Sequence, residues 1–292
     1  MLDLSASTRD AVIRGLPTAW IEAGEAGKPI VFLCHGFPDS PEVWASQIQC
    51  LAPDYHVIAP YVRGCDRSVP ASNLRRYGRD AVLLDHLEIL RQVSSGEEPV
   101  ICVGHDLGVV HAMTLARSLG DRCAGLFCIN GMDLEMFARR LRQPGQVARS
   151  WYMGFMQLPM IPELMARYIP HTSLTLASKL AGGPSPDVAD SLRFRERAEA
   201  TLNQYRAFVR EMVSTVEPVK RLACPVMVVW GRDDGVLLAP TEEEWRIVCH
   251  KPTIRIIPGG HWLHRDEAKV IDGFISTFAQ DCARQKSGDY HA

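Results

Sequence analysis

The sequence predicts an α/β fold built on a doubly wound, mostly parallel sheet. Six short apolar runs rich in Val, Ile and Leu lie along the 292 residues, at 29–34, 56–60, 99–104, 124–130, 225–231 and 253–259. Runs that are apolar throughout are typical of strands buried on both faces. Helical patterns alternate with these runs, at 41–52, 75–93, 107–120 and 264–283. This alternation predicts a parallel sheet covered by helices.

The alternation of strands and helices stops between about 131 and 216, where several prolines and helix-like segments replace the strand pattern. We expect a helical lid, which divides the chain into core residues 1–132, a lid at 133–216 and core residues 217–292. The middle of the lid, WYMGFMQLPMIPELM, is apolar. We interpret it as a face packed over a pocket, with a helix on a membrane surface as the alternative.

Composition and charge narrow the class of protein. The chain is 47% hydrophobic and 23% charged with a formal net charge of −2, which is typical of a soluble globular protein that does not bind nucleic acid. Nine scattered cysteines without CxxC spacing favour reduced core residues over disulfides or a zinc site. Because no signal peptide pattern and no apolar run of ~20 residues is present, we expect a cytoplasmic protein without a membrane span.

The most specific motif is Gly104-His105-Asp106-Leu107-Gly108, between a predicted strand and a predicted helix. It has the form of a nucleophile elbow, with aspartate where esterases and lipases carry serine. The alternative is an ordinary turn in which Asp106 only caps the helix. A carboxylate that attacks saturated carbon leaves an ester, which water can hydrolyse, whereas serine would leave an ether. Asp106 therefore predicts epoxide opening or carbon–halogen cleavage.

Candidate partners for Asp106 follow in the order expected for this fold, acid and then histidine. The late strand VMVVW is followed by Asp233 and Asp234, and either could be the acid. The loop after the last strand carries His261, which we assign as the catalytic histidine. His264 is the rival, and we expect it to face solvent or to cap the following helix.

The segment CHGFPDS follows the first buried parallel strand, where an oxyanion loop belongs. We expect the N–H groups of Phe37 and Leu107 to stabilise the charge that develops when water attacks the ester. The segment also fits a tight turn with a cis proline, and the two interpretations are compatible.

With these residues in place, the sequence resembles the α/β-hydrolase epoxide hydrolases over residues 12–279, and more distantly the haloalkane and haloacid dehalogenases. The resemblance rests on HGFPDS, Trp44, RGCDRS, GHDLG, RSWYMGFMQLPMIPE, LNQYRA, WGRDD and GGHW. It implies an α/β-hydrolase fold with the lid inserted after strand six, and the WGxxD spacing favours Asp234 as the acid. It also implies that two lid tyrosines, Tyr152 and Tyr205, hold and protonate the epoxide oxygen.

The implied reaction converts a small, largely apolar epoxide to a vicinal diol through an ester on Asp106, without a cofactor or metal. We expect an apolar pocket lined by Phe37, Trp44, Leu107, Met153, Met156 and Trp262. The oligomeric state stays open, with a homodimer as one possibility. Arginines at 139–142 predict a solvated helix face, with a partner-binding patch as the alternative.

Two other functions stay open, a dehalogenase that uses the same aspartate and a catalytically silent ligand-binding protein. Leu107 counts against the first, because dehalogenases place Trp or Arg after the aspartate as a donor to the halide. The intact acid, histidine and tyrosine set counts against the second. Three residues depart from the family pattern, namely Tyr61, Asp66 and Leu107.

Overall fold

The centre of the fold is an eight-stranded sheet, seen in a computed structural model that describes residues 6–63, 73–182, 188–214 and 220–287. The strands in chain order are β1 (Ser7–Ile13), β2 (Leu16–Ala23), β3 (Ile30–Cys34), β4 (His56–Pro60), β5 (Val100–His105), β6 (Cys123–Ile129), β7 (Val226–Gly231) and β8 (Pro252–Ile257). Their order across the sheet is β1-β2-β4-β3-β5-β6-β7-β8. β2 pairs antiparallel with both β1 and β4, and the remaining pairs are parallel.

The predicted parallel sheet is confirmed, since all six apolar runs form strands, β3 to β8. Every residue of β3, β4, β5 and β6 is buried, as a strand covered on both faces requires. The sequence analysis does not predict β1 and β2. β1 is mostly exposed and carries polar residues, so no continuous apolar run marks it.

Helices cover both faces of the sheet. Outside the segment between β6 and β7 they are α1 (Ala45–Leu51), α2 (Arg79–Val93), α3 (Leu107–Leu119), α10 (Glu242–Trp245), α11 (Leu263–Asp266) and α12 (Ala268–Ser287). Ile30 and Phe32 of β3 belong to the apolar core that contains α2 and α3 residues. Val31 and Leu33 belong to the opposite core, which contains α1 and α12 residues. The alternation of β3 side chains thus divides the interior into two layers.

Between β6 and β7, the described residues form helices. They are α4 (Leu134–Arg140), α5 (Pro144–Arg149), α6 (Trp151–Met156), α7 (Ile161–Tyr168), α8 (Pro170–Leu180) and α9 (Val188–Ser214). The long helix α9 packs against α4, α6, α7 and α8. We call residues 133–216 the helical segment, and its boundaries as a domain stay a prediction.

The arginines at 139–142 were expected to be either a solvated face or a partner-binding patch, and the structure corrects both for Arg140. Arg140 is buried and donates to Glu244 and to the carbonyls of Leu238 and Ala239. Its guanidinium therefore joins α4 to the core after β7. Such a paired, hydrogen-bonded arrangement is what a buried arginine requires.

The predictions for Cys65 and Asp66 concern residues that lie outside the described part of the chain. The eight described cysteines have free thiols, and six of them are buried. Among the described residues, no helix combines the length and apolarity needed to cross a bilayer.

Candidate active site

Asp106 lies at the turn between β5 and α3, where the backbone reverses sharply. Its φ of 52° and ψ of −121° are strained for a residue with a side chain. The turn packs so closely on β3 that a Cβ on Gly108 would lie 2.1 Å from the carbonyl oxygen of Cys34. The Asp106 side chain makes no capping hydrogen bond to α3. The structure thus disfavours a capping role and directs the carboxylate into the cleft.

His261 lies between the two carboxylates that the sequence analysis assigned to it. Its Nε2 atom is 3.3 Å from Oδ2 of Asp106, and its Nδ1 atom is 2.9 Å from Oδ2 of Asp234. His261 follows β8 and Asp234 follows β7, so the carboxyl ends of neighbouring parallel strands bring them together. The histidine and Asp234 are both buried.

Asp234, and not the neighbouring Asp233, contacts the histidine. Besides His261, its carboxylate accepts hydrogen bonds from the N–H groups of Val236 and Leu237 at 2.7 and 2.9 Å. Asp233 is exposed and accepts a longer bond of 3.4 Å from the N–H of Gly259. The structure therefore places the two alternatives in different environments, and only Asp234 is oriented toward His261.

Asn130 is a site residue that the sequence analysis missed. It is fully buried at the end of β6, and its Nδ2 atom donates to Oδ2 of Asp234 at 2.6 Å. Its Oδ1 atom accepts from the N–H of Gly231 at 3.2 Å, which fixes the orientation of the amide. The one feature of the sequence that could have indicated Asn130 is its position directly after a buried strand. That feature is not specific, because asparagine is also common in ordinary turns.

Electrostatics couple these three groups. Burial acts to lower the pKa of His261, but the Asp234 charge and the Asp106 hydrogen bond raise it to about 10. Burial acts to raise the pKa of Asp106, yet the hydrogen bond and charge of His261 hold it below its usual value. The pKa of Asp234 is lowered in the same way, against the effect of burial, first by the His261 charge. At neutral pH the site therefore holds an imidazolium between two carboxylates.

The predicted oxyanion loop lies beside the nucleophile. The N–H of Phe37 donates to Oδ1 of Asp106 at 3.0 Å, and the Phe37–Pro38 peptide bond is cis. Oδ1 is therefore the oxygen on which a negative charge would be stabilised. Among the described residues, no hydrogen bond joins the N–H of Leu107 to this carboxylate. The role of Leu107 in the oxyanion hole therefore stays a prediction.

Tyr152 of α6 and Tyr205 of α9 lie together across the cleft from Asp106. Their ring centroids are 6.0 Å apart, and their hydroxyl groups interact with each other. Both tyrosines border the same cavity as Asp106 and His261. Burial raises the pKa of both phenols, and the nearby charge of Asp106 acts in the same direction. Both hydroxyls therefore keep their protons at neutral pH.

A cavity of about 140 Å³ leads to these groups, and its walls are mainly apolar. Of the expected pocket residues, Phe37, Met156 and Trp262 line it. Leu107 instead lines a smaller cavity of about 40 Å³, which also borders Asp106, Tyr152 and Tyr205.

The structure corrects two expected pocket residues and the expected exposure of His264. Trp44 is fully buried and stacks on His264, with ring centroids 4.6 Å apart, so it does not line the cavity. Met153 is buried in the core cluster that includes Tyr205. His264 is buried rather than solvent-facing, because it packs between Trp44 and His105.

His264 also belongs to a group whose atoms could ligate a metal. One ligand atom each of Asp39, His105 and His264 lie within 4.8 Å of one another. This group lies behind His261, since Nε2 of His105 contacts the His261 carbonyl at 3.0 Å. Asp39 also accepts a hydrogen bond from the indole of Trp262 at 2.9 Å. These side chains therefore pack against the loop that carries His261.

Tyr61 also departs from the family pattern. Its hydroxyl group donates a hydrogen bond to the carboxylate of Glu42.

Comparison with known proteins assigns the chain to a family. The sequence profile of the alpha/beta hydrolase fold matches residues 29–268, and the chain belongs to the α/β-hydrolase family. Epoxide hydrolase 4 of Mus musculus is 26% identical over 289 residues, which cover 93% of this chain and 78% of that relative. Epoxide hydrolase A of Mycobacterium tuberculosis is 28% identical over 302 residues, which cover 88% of this chain and 92% of that relative.

Solved structures share the fold. A variant of an epoxide hydrolase from Bacillus megaterium superimposes with a TM-score of 0.79 at 22% identity, covering 93% of this chain and 100% of that one. Epoxide hydrolase A from Mycobacterium thermoresistibile gives a TM-score of 0.77 at 22% identity, with 94% and 98% covered. The resemblance to epoxide hydrolases and the α/β-hydrolase fold are thus confirmed, and with them the expectation of an enzyme.

Proposed function

We propose that this chain is an epoxide hydrolase that converts an apolar epoxide to a vicinal diol through an ester on Asp106. The observation that carries this proposal is the convergence of Asp106, Tyr152 and Tyr205 on one cavity. A carboxylate nucleophile on one side and two neutral phenols on the other suit a ring that must be attacked at carbon and protonated at oxygen. In this proposal residues 133–216 act as a cap over core residues 1–132 and 217–292.

In the first half of the reaction, Asp106 attacks one carbon of the epoxide and the carbon–oxygen bond breaks. Tyr152 and Tyr205 hydrogen-bond the ring oxygen, and one of them transfers its proton to the alkoxide. Oδ2 of Asp106 is held near Nε2 of His261 and Oδ1 near the N–H of Phe37, which keeps the carboxylate charged before attack. The product of this step is a neutral ester, a free hydroxyl group and one phenolate.

Formation of the ester changes the state of His261. The charge and hydrogen bond of Asp106 are among the causes that raise the pKa of His261, and both are altered when the carboxylate becomes an ester. The imidazolium then transfers its own proton to the phenolate, which restores the tyrosine and leaves a neutral histidine. The base required for the second half is thereby generated by the first half.

In the second half, neutral His261 accepts a proton from water, and the resulting hydroxide attacks the carboxyl carbon of Asp106. The N–H of Phe37 stabilises the oxyanion, and Leu107 is the second expected donor. Collapse of the tetrahedral intermediate releases the diol, which takes the remaining proton of the water. The Asp106 carboxylate and the His261 imidazolium are both restored, while Asp234 stays ionised throughout.

The two cavities indicate the form of the substrate. The larger one accommodates an extended apolar substituent, and the smaller one, which also borders Asp106 and both tyrosines, accommodates a group of a few atoms. We infer an epoxide with one large apolar substituent and one small or absent substituent. A polar head group would lie against apolar walls without a hydrogen-bond partner, which is unfavourable.

A dehalogenase is the second candidate, and the site is poorly suited to it. Dehalogenases of this kind place a donor side chain directly after the aspartate to hold the departing halide, and the side chain of Leu107 supplies none. The indole N–H of Trp262, which borders the cavity, already donates to Asp39.

The test is a screen of the purified protein against aryl, alkyl and polar epoxides and against matched haloalkanes. Diol formation and halide release are measured in parallel, with Asp106→Ala as the inactive control. We expect diol from apolar epoxides and no halide above the control. Halide release without diol formation would replace the proposal with a dehalogenase, and no product from any substrate would favour a silent binding protein.

A further inference from the structure

The outer surface of the helical segment exposes many large apolar side chains. Of the fifteen exposed large apolar residues in the described part of the chain, nine lie within residues 151–180. Six of them form what we call the apolar ridge, Leu158, Met160, Ile161, Leu164, Tyr168 and Ile169. Soluble proteins rarely concentrate exposed apolar side chains in this way unless the surface contacts a partner or a membrane.

The apolar ridge is held outward by the packing of α7. The helix buries Pro162 and Ala166 on its inner side, and its outer side carries Ile161, Leu164 and Tyr168 at helical spacing. Met160, directly before the helix, is 71% exposed and has a φ of 66°. A positive φ is unfavourable for methionine. The backbone at Met160 is therefore strained at a position where an apolar side chain points to the outside.

The helices next to the ridge carry exposed apolar residues that line the active-site cavity. Trp151, Leu176 and Leu180 line that cavity and are themselves about half exposed. They lie on α6 and α8, on either side of α7 in the chain. Pro162 and Met165 of α7 also line the cavity, so the helix at the centre of the ridge forms part of the cavity wall.

The helices α7 and α8 carry two exposed cationic side chains, Arg167 and Lys179. Glu163 is the single acidic residue in the sequence from 151 to 182, and Arg206 donates to it at 2.6 Å. Arg167 and Lys179 are exposed, and neither forms an ion pair with another described residue. The described residues of α7 and α8 therefore combine exposed apolar side chains with two cations that form no described ion pair, which is the combination that anionic lipid surfaces attract.

We propose that the apolar ridge docks on an anionic lipid surface and that the enzyme takes a lipophilic epoxide directly from the bilayer. Uptake of an epoxide from the bilayer rests on the proposed function, whereas docking on a lipid surface can be tested without turnover. Leu164, Tyr168 and Met160 enter the interfacial region of the lipid, and Arg167 and Lys179 contact the head groups. The cavity entrance at Trp151 and Leu180 then faces the layer in which an apolar substrate accumulates.

A second copy of this chain is a weaker occupant of the same surface. A two-fold symmetric interface brings the same patch of each subunit together. It would therefore bring Arg167 and Lys179 of both subunits to one interface, where α7 and α8 carry no carboxylate other than the paired Glu163. A lipid surface with anionic head groups compensates these charges, and the residues of these two helices do not.

The experiment measures sedimentation of the full-length protein with vesicles of phosphatidylcholine alone or with about one third phosphatidylserine. The first variant is Met160→Gln, Leu164→Gln, Tyr168→Gln, and the second is Arg167→Glu, Lys179→Glu. None of these five residues lines the active-site cavity. The matched controls change exposed residues elsewhere, Val12→Gln with Val270→Gln, and Lys251→Glu.

We expect the wild type to bind vesicles that contain phosphatidylserine and each ridge variant to bind at least ~10-fold more weakly. The controls should bind like the wild type, and all variants should keep the wild-type rate on a water-soluble epoxide. On an epoxide dissolved in the vesicles, the ridge variants alone should be slower. Wild-type protein that stays in the supernatant, or ridge variants that bind unchanged, would overturn the docking proposal.

A size measurement by light scattering separates the remaining alternative. A dimer of the wild type that dissociates in the ridge variants would assign the surface to a second copy and overturn the lipid proposal. Vesicle binding without hydrolysis of any epoxide would instead leave the docking surface in place and reject the proposed function. The two failures are therefore distinguishable.

Discussion

The Nε2 atom of His261 lies 3.3 Å from Oδ2 of Asp106, so the histidine directly contacts the carboxylate of the proposed nucleophile. This contact keeps Asp106 charged and His261 protonated before substrate arrives. When Asp106 is alkylated it loses its charge, so the ion pair with His261 no longer exists. The histidine can then act as a base. One contact therefore serves both halves of the proposed reaction.

The first prediction concerns replacement of His261. In His261→Gln, Asp106 can still attack the epoxide, but no base activates water, so the ester should accumulate. Intact-protein mass spectrometry after incubation with substrate should show a gain equal to the mass of the epoxide, and peptide mapping should place it on Asp106. The variant His250→Gln, which changes an exposed histidine, is the control and should form no stable adduct. A fully active His261→Gln enzyme would rule out the assigned base.

The second prediction separates the two adjacent carboxylates. Asp234→Asn removes the charge that faces His261 and turns an amide NH₂ toward existing donors, so we expect turnover to fall by about 10²–10⁴. Asp233→Asn changes an exposed side chain and should stay within about twofold of the wild type. Steady-state rates on one epoxide, with thermal melting as a check of folding, decide between them. The reverse ranking would transfer the role to Asp233.

The third prediction concerns the tyrosines. An epoxide oxygen leaves as an alkoxide and needs a proton, and loss of general acid help typically costs ~10²–10⁴ in rate. We expect Tyr152→Phe and Tyr205→Phe each to slow alkylation of Asp106, and the double variant to abolish it nearly completely. Tyr168→Phe, on the outer surface, is the control. Single-turnover kinetics measure the effect, and alkylation at the wild-type rate in the double variant would show that the two phenols only pack.

The fourth prediction concerns pH. Because the pKa of Asp106 is lowered and that of His261 is raised to about 10, alkylation should proceed at a constant rate between about pH 5 and pH 9. Hydrolysis of the ester needs neutral His261, whose pKa falls once Asp106 is uncharged, so this step should slow toward acid pH. Rapid quenching of single turnovers resolves the two steps. A drop in the alkylation rate below about pH 6.5, where an ordinary histidine protonates, would contradict the paired state.

The parts of the fold that the sequence predicts are those set by local patterns. β3 to β6 are buried at every residue and β7 at all but one, so each appears as a continuous apolar run, whereas β1 lies mostly exposed at one sheet edge and leaves no such pattern. β8, at the other edge, is only partly covered but still carries an apolar run. The elbow at Asp106 and the loop at His261 follow directly after strands. Their positions therefore follow from the order of the strands along the chain, which the sequence analysis could infer.

The residues that it missed depend on contacts between distant parts of the chain. His264 was expected to face solvent, but Trp44, directly before α1, and His105, at the end of β5, cover it. Trp44 is apolar and near the oxyanion loop, and nothing local distinguishes a core position from a pocket position. The contact between Asn130 and Asp234 joins residues 104 positions apart, so no spacing in the sequence indicates it.

The central claim is that water attacks Asp106 and not the substrate, and one isotope measurement tests it directly. With wild-type enzyme in excess over an apolar epoxide in H₂¹⁸O, a single turnover takes one diol oxygen from the Asp106 carboxylate and the other from the epoxide. The diol should therefore carry no ¹⁸O, and mass spectrometry of the peptide that contains Asp106 should show the heavy oxygen. If the diol carries ¹⁸O after the first turnover and the Asp106 peptide stays unlabelled, water attacks the epoxide directly and the covalent mechanism is wrong.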